Sequence, residues 1–295
     1  MPDTVLILGS SGRIGRHSAA AFARAGWLVR RYTRGTDMRE AAKGCAVIVN
    51  GLNPPNYHNW AGLLPRITAD VIAAAKASGA TVVLPGNVYH FGDTPGTWSE
   101  CTPPRPVARK GDLRLEMERT YAACGFQTII LRAGNFIDPD RQGCMWTELY
   151  LRKPGTLTLP GPERTRQAFC YLPDWARAAV ALAELRTQLD PFEDIPFPGH
   201  TLSAGDIAAA VEAVTGRPLR RSSFPWWAMR LASPVWEMAR ELTEMRYLWR
   251  TDHALCAKRL SALLPGFAVT PLDEVVAAYL HTAPDGQASH VAVAP

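Results

Sequence analysis

Three glycines, Gly9, Gly12 and Gly15, stand at even intervals directly behind the apolar run Thr4-Val5-Leu6-Ile7-Leu8. A short run of that kind suits a parallel strand buried on both faces, and the alanine-rich stretch behind the glycines suits a helix. A tight turn from strand to helix aims free backbone N–H groups and the positive end of the helix dipole at one point. That is what a pyrophosphate requires. Gly9, Ser10, Ser11, Gly12, Arg13, Ile14 and Gly15 are therefore the candidate phosphate cradle of a dinucleotide. Glycine falls where a side chain would block the turn, the anion or the helix packing. The spacing is GxxGxxG rather than GxGxxG.

The end of the next strand selects the dinucleotide. Residues 27–32 read as that strand and run out in Arg30-Arg31-Tyr32-Thr33-Arg34, with no acid before Asp37. A carboxylate there would accept from the ribose hydroxyls of NAD, whereas arginine accommodates the added phosphate of NADP. Arg34 with Arg13, or Arg31 in its place, points to NADP as cofactor, with NAD the less favoured. Gly51 and Leu52, behind the apolar run 45–49, and Pro85, behind the run 81–84, complete the expected cofactor set. The cysteines (Cys45, Cys101, Cys124, Cys144, Cys170, Cys256) form no CxxC pair. Reduced thiols are expected, with no metal site and no disulfide scaffold.

These residues need a frame. Helices are expected over residues 15–26, 65–78 and 111–124, and a further strand over 126–131. Strands alternating with helices imply βαβ units and an α/β, Rossmann-type, doubly wound parallel sheet. Beyond Gly134-Asn135-Phe136 the alternation weakens, and prolines and tryptophans accumulate. Helices are expected over 173–185, 203–215 (with Ser203 as N-cap), 225–249 and 271–281. The expected organisation is a dinucleotide-binding domain over 1–135, a smaller, mainly helical substrate domain over 136–282, either separate or packed as one unit with the first, and a disordered tail over 283–295.

The chain has 295 residues, a net charge of +5 and 47% hydrophobic residues. The basic residues are scattered rather than gathered on one face, so nucleic-acid binding is not expected. No run approaches the ~20 apolar residues of a membrane span. No basic, apolar leader precedes the first strand. The expectation is a cytoplasmic monomer or homodimer that takes a small-molecule substrate and has no membrane partner.

Several segments resemble the extended or atypical short-chain dehydrogenase/reductases, the NAD-dependent epimerase/dehydratase family. They are Gly9-Ser10-Ser11-Gly12-Arg13-Ile14-Gly15, Val83-Leu84-Pro85-Gly86-Asn87-Val88-Tyr89, Lys110-Gly111-x-x-Arg114-x-Glu116-x-Glu118, Leu131-Arg132-Ala133-Gly134-Asn135-Phe136-Ile137-Asp138-Pro139 and Pro173-Asp174-Trp175-Ala176. The resemblance covers nearly the whole chain. It implies an NAD(P)-dependent oxidoreductase or epimerase/dehydratase-like activity on a carbonyl or nucleotide-sugar-like small molecule.

Departures from the family pattern fall on the catalytic positions. The family's Ser or Thr position reads Pro85. Its tyrosine and lysine positions, aligned by sequence, read Val107 and Gly111, with Lys110 one residue early. The interval between Arg34 and Cys45 is also short for the family's third strand. Substitute chemistry would fall to Tyr89 as proton donor at the sheet's ligand edge, Asn87 to orient a carbonyl, and Lys110 to reach the ribose and the phenol. His58 and His90 read as surface or loop histidines. Asp138 and Asp140 read as turn formers facing the cleft. Trp226, Trp227, Trp236 and Trp249 read as small-domain core, with the lining of a substrate pocket by one or two of them as the alternative. The alternative function is a catalytically inactive NADP(H)-binding sensor or assembly protein.

Overall fold

A computed structural model describes residues 2–54, 58–141 and 143–281. The tail expected over 283–295 lies outside the described residues. Strand β1 (Thr4–Leu8) passes through the glycine turn into helix α1 (Arg13–Arg24) and strand β2 (Leu28–Arg31). Gly26, just past α1, takes a φ of 83°, a left-handed conformation that glycine adopts without strain. Helix α2 (Met38–Ala42) follows and fills the short interval before β3 (Val47–Asn50). No strand forms there, so β2 is the edge of the sheet. Helix α3 (Trp60–Ser78) starts earlier than the periodicity predicts and carries Pro65 inside it. Next come β4 (Thr81–Gly86), β5 (Gly96–Trp98), α4 (Arg109–Ala122) and β6 (Thr128–Arg132).

The later elements are β7 (Asn135–Ile137), β8 (Thr156–Leu159), β9 (Gln167–Tyr171), α5 (Leu172–Glu184), β10 (Phe192–Pro196) and β11 (His200–Leu202). They are followed by α6 (Ala204–Thr215), β12 (Arg220–Ser223), α7 (Trp226–Ala232), α8 (Glu237–Glu244), β13 (His253–Leu255), α9 (Lys258–Leu263) and α10 (Leu272–His281). The main sheet has the order β10-β6-β4-β3-β1-β2, and its pairings are all parallel.

Alternate strand residues face opposite layers, as a period of two demands. Val5, Ile7, Val47, Val49, Val83, Ile129 and Leu131 pack with Phe22 of α1 and Trp175 of α5. Leu6, Leu8, Ile48, Val82, Leu84 and Ile130 pack with Leu64 and Val71 of α3 and Met117 and Tyr121 of α4. The sheet is thus covered on both faces, which explains its continuous apolar strands.

The main sheet draws on both halves of the chain. Beyond residue 135 the chain forms β7 and β9, then returns: α5 packs on α1, and β10 pairs with β6. Trp175 Nε1 donates to the Leu131 carbonyl at 3.0 Å. A second core collects Trp146, Tyr150, Phe169, Trp226, Trp249 and Tyr279 between the sheet β11-β9-β7, the pair β12-β8, and helices α6 and α10. Ser203 caps α6 as expected: it accepts from the Asp206 N–H, and Asp206 accepts from the Ser203 N–H in a reciprocal box.

The single helix expected over 225–249 is instead broken. Helix α7 stops at Ala232, Pro234 stands in the break, and a 3₁₀ segment over Met245–Arg250 follows α8. Proline has no N–H for the ladder and clashes with the preceding turn, which favours a break at Pro234. The break also reverses the expectation for two tryptophans. Trp226 and Trp249 are buried in the second core, whereas Trp227 and Trp236 are exposed.

Candidate functional site

The glycine turn lies where β1, α1 and the end of β3 converge. A Cβ on Gly15 would stand 2.1 Å from the Gly9 carbonyl oxygen, and one on Gly51 would stand 2.8 Å from the Leu8 carbonyl oxygen and 3.2 Å from the Gly15 nitrogen. Gly9 has a φ of 70°, and a Cβ there would meet the Gly51 oxygen at 3.0 Å and Leu52 Cδ2 at 3.4 Å. Gly9, Ile14, Gly15, Gly51 and Leu52 therefore come together in space, as the sequence implies. Gly12 is exposed and N-caps α1, no side chain caps that helix end, and its first turn holds no acid. Its leading amides are left for an outside acceptor, the donor set a phosphate needs. Ser10 and Ser11 line the same turn. The residues present fit a dinucleotide's pyrophosphate.

The selector arginines divide. Arg34 is exposed beyond β2. Asp37, the nearest acid, is committed to capping α2, its carboxylate accepting from the Arg39 N–H at 2.8 Å. Arg13 is spent elsewhere: its Nη1 donates to the Gly143 carbonyl at 2.5 Å. Arg16 joins it in holding the segment behind β7, through Asp138 and, at 2.8 Å, Asp140. His17 Nε2 lies 3.1 Å from Asp138. Burial alone would raise the Asp138 carboxyl, but hydrogen bonds from His17 and Arg16 outweigh it and hold it below its usual range. Asp138 and Asp140 are thus anchors of a strap over α1 as well as turn formers. Ligand-type atoms of His17, Asp138 and Asp140 lie within 4.8 Å of one another. The Arg16 guanidinium already bridges both carboxylates there.

At the neighbouring edge, Pro85 pairs with Leu131 in the sheet register and is partly exposed. Asn87 Oδ1 accepts from the Tyr89 N–H at 3.0 Å, which shapes the turn that carries Tyr89. Lys110 departs from expectation. Its side chain is 2% exposed and ion-paired to Glu241 and, at 3.1 Å, to Glu244 of α8. Its ammonium is committed to those two carboxylates. Val107 is exposed ahead of α4, and a Cβ on Gly111 would lie 2.7 Å from the Tyr89 carbonyl oxygen.

The cation beside Tyr89 is Arg114, which the sequence reading left unassigned. Its guanidinium lies 5.4 Å from the centre of the Trp60 ring and within electrostatic reach of the Tyr89 hydroxyl, and its buried Nε has no hydrogen-bond partner. Lys110, Arg114 and Glu118 recur every fourth residue and so share one face of α4. That spacing was the available signal. Glu118 grips Arg132 through both carboxylate oxygens at 3.1 and 2.7 Å, and Asp194 of β10 adds contacts at 2.9 and 2.6 Å. His90 is buried rather than on the surface, its Nδ1 3.2 Å from Arg132 Nη1. Burial, and then the guanidinium, push His90 down to about 3. His58 is exposed, as expected, and lies 3.0 Å from Glu237.

No protein-family model matches the sequence, and no curated protein does. Solved structures do. MoeE5 in complex with UDP-glucose and NAD superposes with a TM-score of 0.75 at 16% identity, over 95% of this chain and 98% of that one. A UDP-glucuronic acid 4-epimerase from Bacillus cereus in complex with NAD gives 0.73 at 16% identity, over 95% and 98%. A UDP-glucose 4-epimerase from Brucella ovis in complex with NAD gives 0.72 at 16% identity, again over 95% and 98%. At such identity the likeness is one of fold: this chain has their α/β architecture along nearly its whole length.

Proposed function

We propose that this chain is a member of the extended or atypical short-chain dehydrogenase/reductases that binds a nicotinamide dinucleotide at the β1–α1 turn. Its substrate is a carbonyl or nucleotide-sugar-like small molecule, handled as by an oxidoreductase or epimerase/dehydratase. The observation that carries the reading is the uncapped amino end of α1, set against glycines whose Cβ atoms would strike backbone. Solved structures of the same fold hold NAD and nucleotide sugars, which supports NAD as the cofactor class. The finer choice of NADP rests on Arg34, since Arg13 is engaged and Asp37 is not free to take ribose hydroxyls.

The nicotinamide ring, when bound, supplies reversible hydride transfer. The chain's own residues bind it and move the proton. Ser10, Ser11, Gly12 and Ile14 present the turn to the pyrophosphate. Gly51, Leu52 and Pro85 shape the edge beyond it. Tyr89 is the proton donor in this reading, with the Arg114 guanidinium beside it in the place foreseen for Lys110. Asn87 keeps its Nδ2 for a substrate oxygen while its Oδ1 fixes the turn.

Two observations favour a second reading, a dinucleotide-binding sensor or assembly protein without turnover. Lys110 is locked to two glutamates, and proline stands where the family has its hydroxyl. Calorimetric titration with NAD and NADP, beside turnover assays on UDP-glucose and a carbonyl panel, separates the two. Gly12→Val should abolish dinucleotide binding, and unchanged affinity would remove the site. Binding with no turnover on any substrate would select the second reading.

A further inference from the structure

Four large apolar side chains stand in solvent on one short stretch: Trp227 at 70% exposure, Leu231 at 73%, Val235 at 91% and Trp236 at 49%. Trp227 and Leu231 are four apart on α7, and Val235 and Trp236 continue the stripe across the break to α8. Soluble proteins scatter such residues singly, and a contiguous run marks a contact surface. Arg230 borders this stripe. It lies close enough to Arg246 that, after burial, Arg230 and Arg250 are what disfavour the charge on Arg246. Arg246 stacks 5.1 Å from the centre of the Trp226 ring. Among the described residues, none of these three arginines has an ion-pair partner.

The acids of the same segment are all engaged, Glu237 and Glu241 also by Arg240. Glu237 meets His58 at 3.0 Å, Glu244 meets Lys110 at 3.1 Å and the Arg109 N–H at 2.5 Å, and Glu241 also holds Lys110. The carboxylates of α8 are thus all paired, whereas the apolar groups and the unpaired Arg230 and Arg250 stand exposed. We propose that this outward corner of α7 and α8 docks on an anionic phospholipid surface. Tryptophan is at home at headgroup depth, aliphatic side chains bury in the acyl boundary, and arginines gain from anionic headgroups. A second copy is disfavoured, because a symmetric contact would bring the uncompensated arginines face to face. A peptide is disfavoured because the most exposed residue, Val235, sits on a convex corner between helices.

The test uses the full chain and vesicles of phosphatidylcholine with and without phosphatidylglycerol, read by co-sedimentation and tryptophan emission. Retention is expected only on the anionic vesicles, weakening as salt rises. Arg230→Ala should lower partitioning about fivefold, and Leu231→Ser combined with Val235→Ser about tenfold or more. Dinucleotide affinity and circular dichroism should stay as in the parent, which shows the fold intact. Trp227→Ser is the second variant if the pair fails to fold. No retention, equal retention on neutral vesicles, or undiminished retention of the variants would overturn the proposal. So would displacement by inorganic phosphate or UDP, which would mark a soluble-anion site. A concentration-dependent dimer lost on Leu231→Ser would reassign the face to a second copy.

Discussion

His90 and His253 are buried imidazoles whose surroundings disfavour a proton. Burial pushes His253 down to about 4, and burial with Arg132 pushes His90 down to about 3. The hydrogen bonds agree for His90, since an Arg132 N–H points at a ring nitrogen that must therefore accept. Both folded values lie below the ordinary histidine value, so the unfolded chain takes up protons first as pH falls. Stability present at pH 7 is then lost on acidification, by on the order of 2 kcal/mol for each histidine between about pH 6.5 and 4.5. Denaturant melts across that window should show the decline, and His90→Gln should remove about half of it. A parent whose stability is constant from pH 7 to 4.5 would contradict the assignment.

Between elements, the ionic face of α4 does two jobs that neighbouring residues in the chain would not suggest. Arg132 ties α4 through Glu118 to β6 and through Asp194 to β10, while Lys110 ties α4 to α8. Lys110→Met would take the ammonium from Glu241 and Glu244, whose side chains are 18% and 27% exposed, leaving Glu241 with Arg240 and Glu244 with the Arg109 N–H. Partial solvation softens the loss below that of a fully buried pair, to about 1–3 kcal/mol. Thermal unfolding should register that loss with dinucleotide affinity unchanged. A fall in affinity at unchanged stability would instead return Lys110 to the ribose. The glycine turn was legible in the sequence because backbone sterics at Gly9, Gly12 and Gly15 are local. Lys110 was not, because its partners lie more than a hundred residues away. Pro234 was a readable stop signal that the apolar periodicity over 225–249 outweighed.

Across the whole molecule, the doubly wound sheet was legible from its apolar runs, with one strand missing from the reading. Phe192-Glu193-Asp194-Ile195-Pro196 carries two acids and a proline, and nothing in it resembles a buried parallel strand. Its acids make sense only beside their distant partners: Glu193 holds Arg259, and Asp194 holds Arg132. It follows that residues 1–135 alone should not fold. Without α5 the face bearing Val5, Ile7, Val83 and Leu131 is uncovered, and without β10 the Arg132 network loses a carboxylate. Circular dichroism and gel filtration of that fragment should report an unfolded or aggregated chain. A monomer that melts cooperatively would refute the interdependence.

The placement of β10 also sets a clock on biosynthesis. A ribosome adds about 5–20 residues each second, so roughly 3–12 s separate the emergence of β6 from that of its edge partner at Phe192–Pro196. Through that interval the newborn chain presents an open, apolar strand, the kind of edge on which nascent chains stick to one another. A cell that makes this protein must shelter it for those seconds.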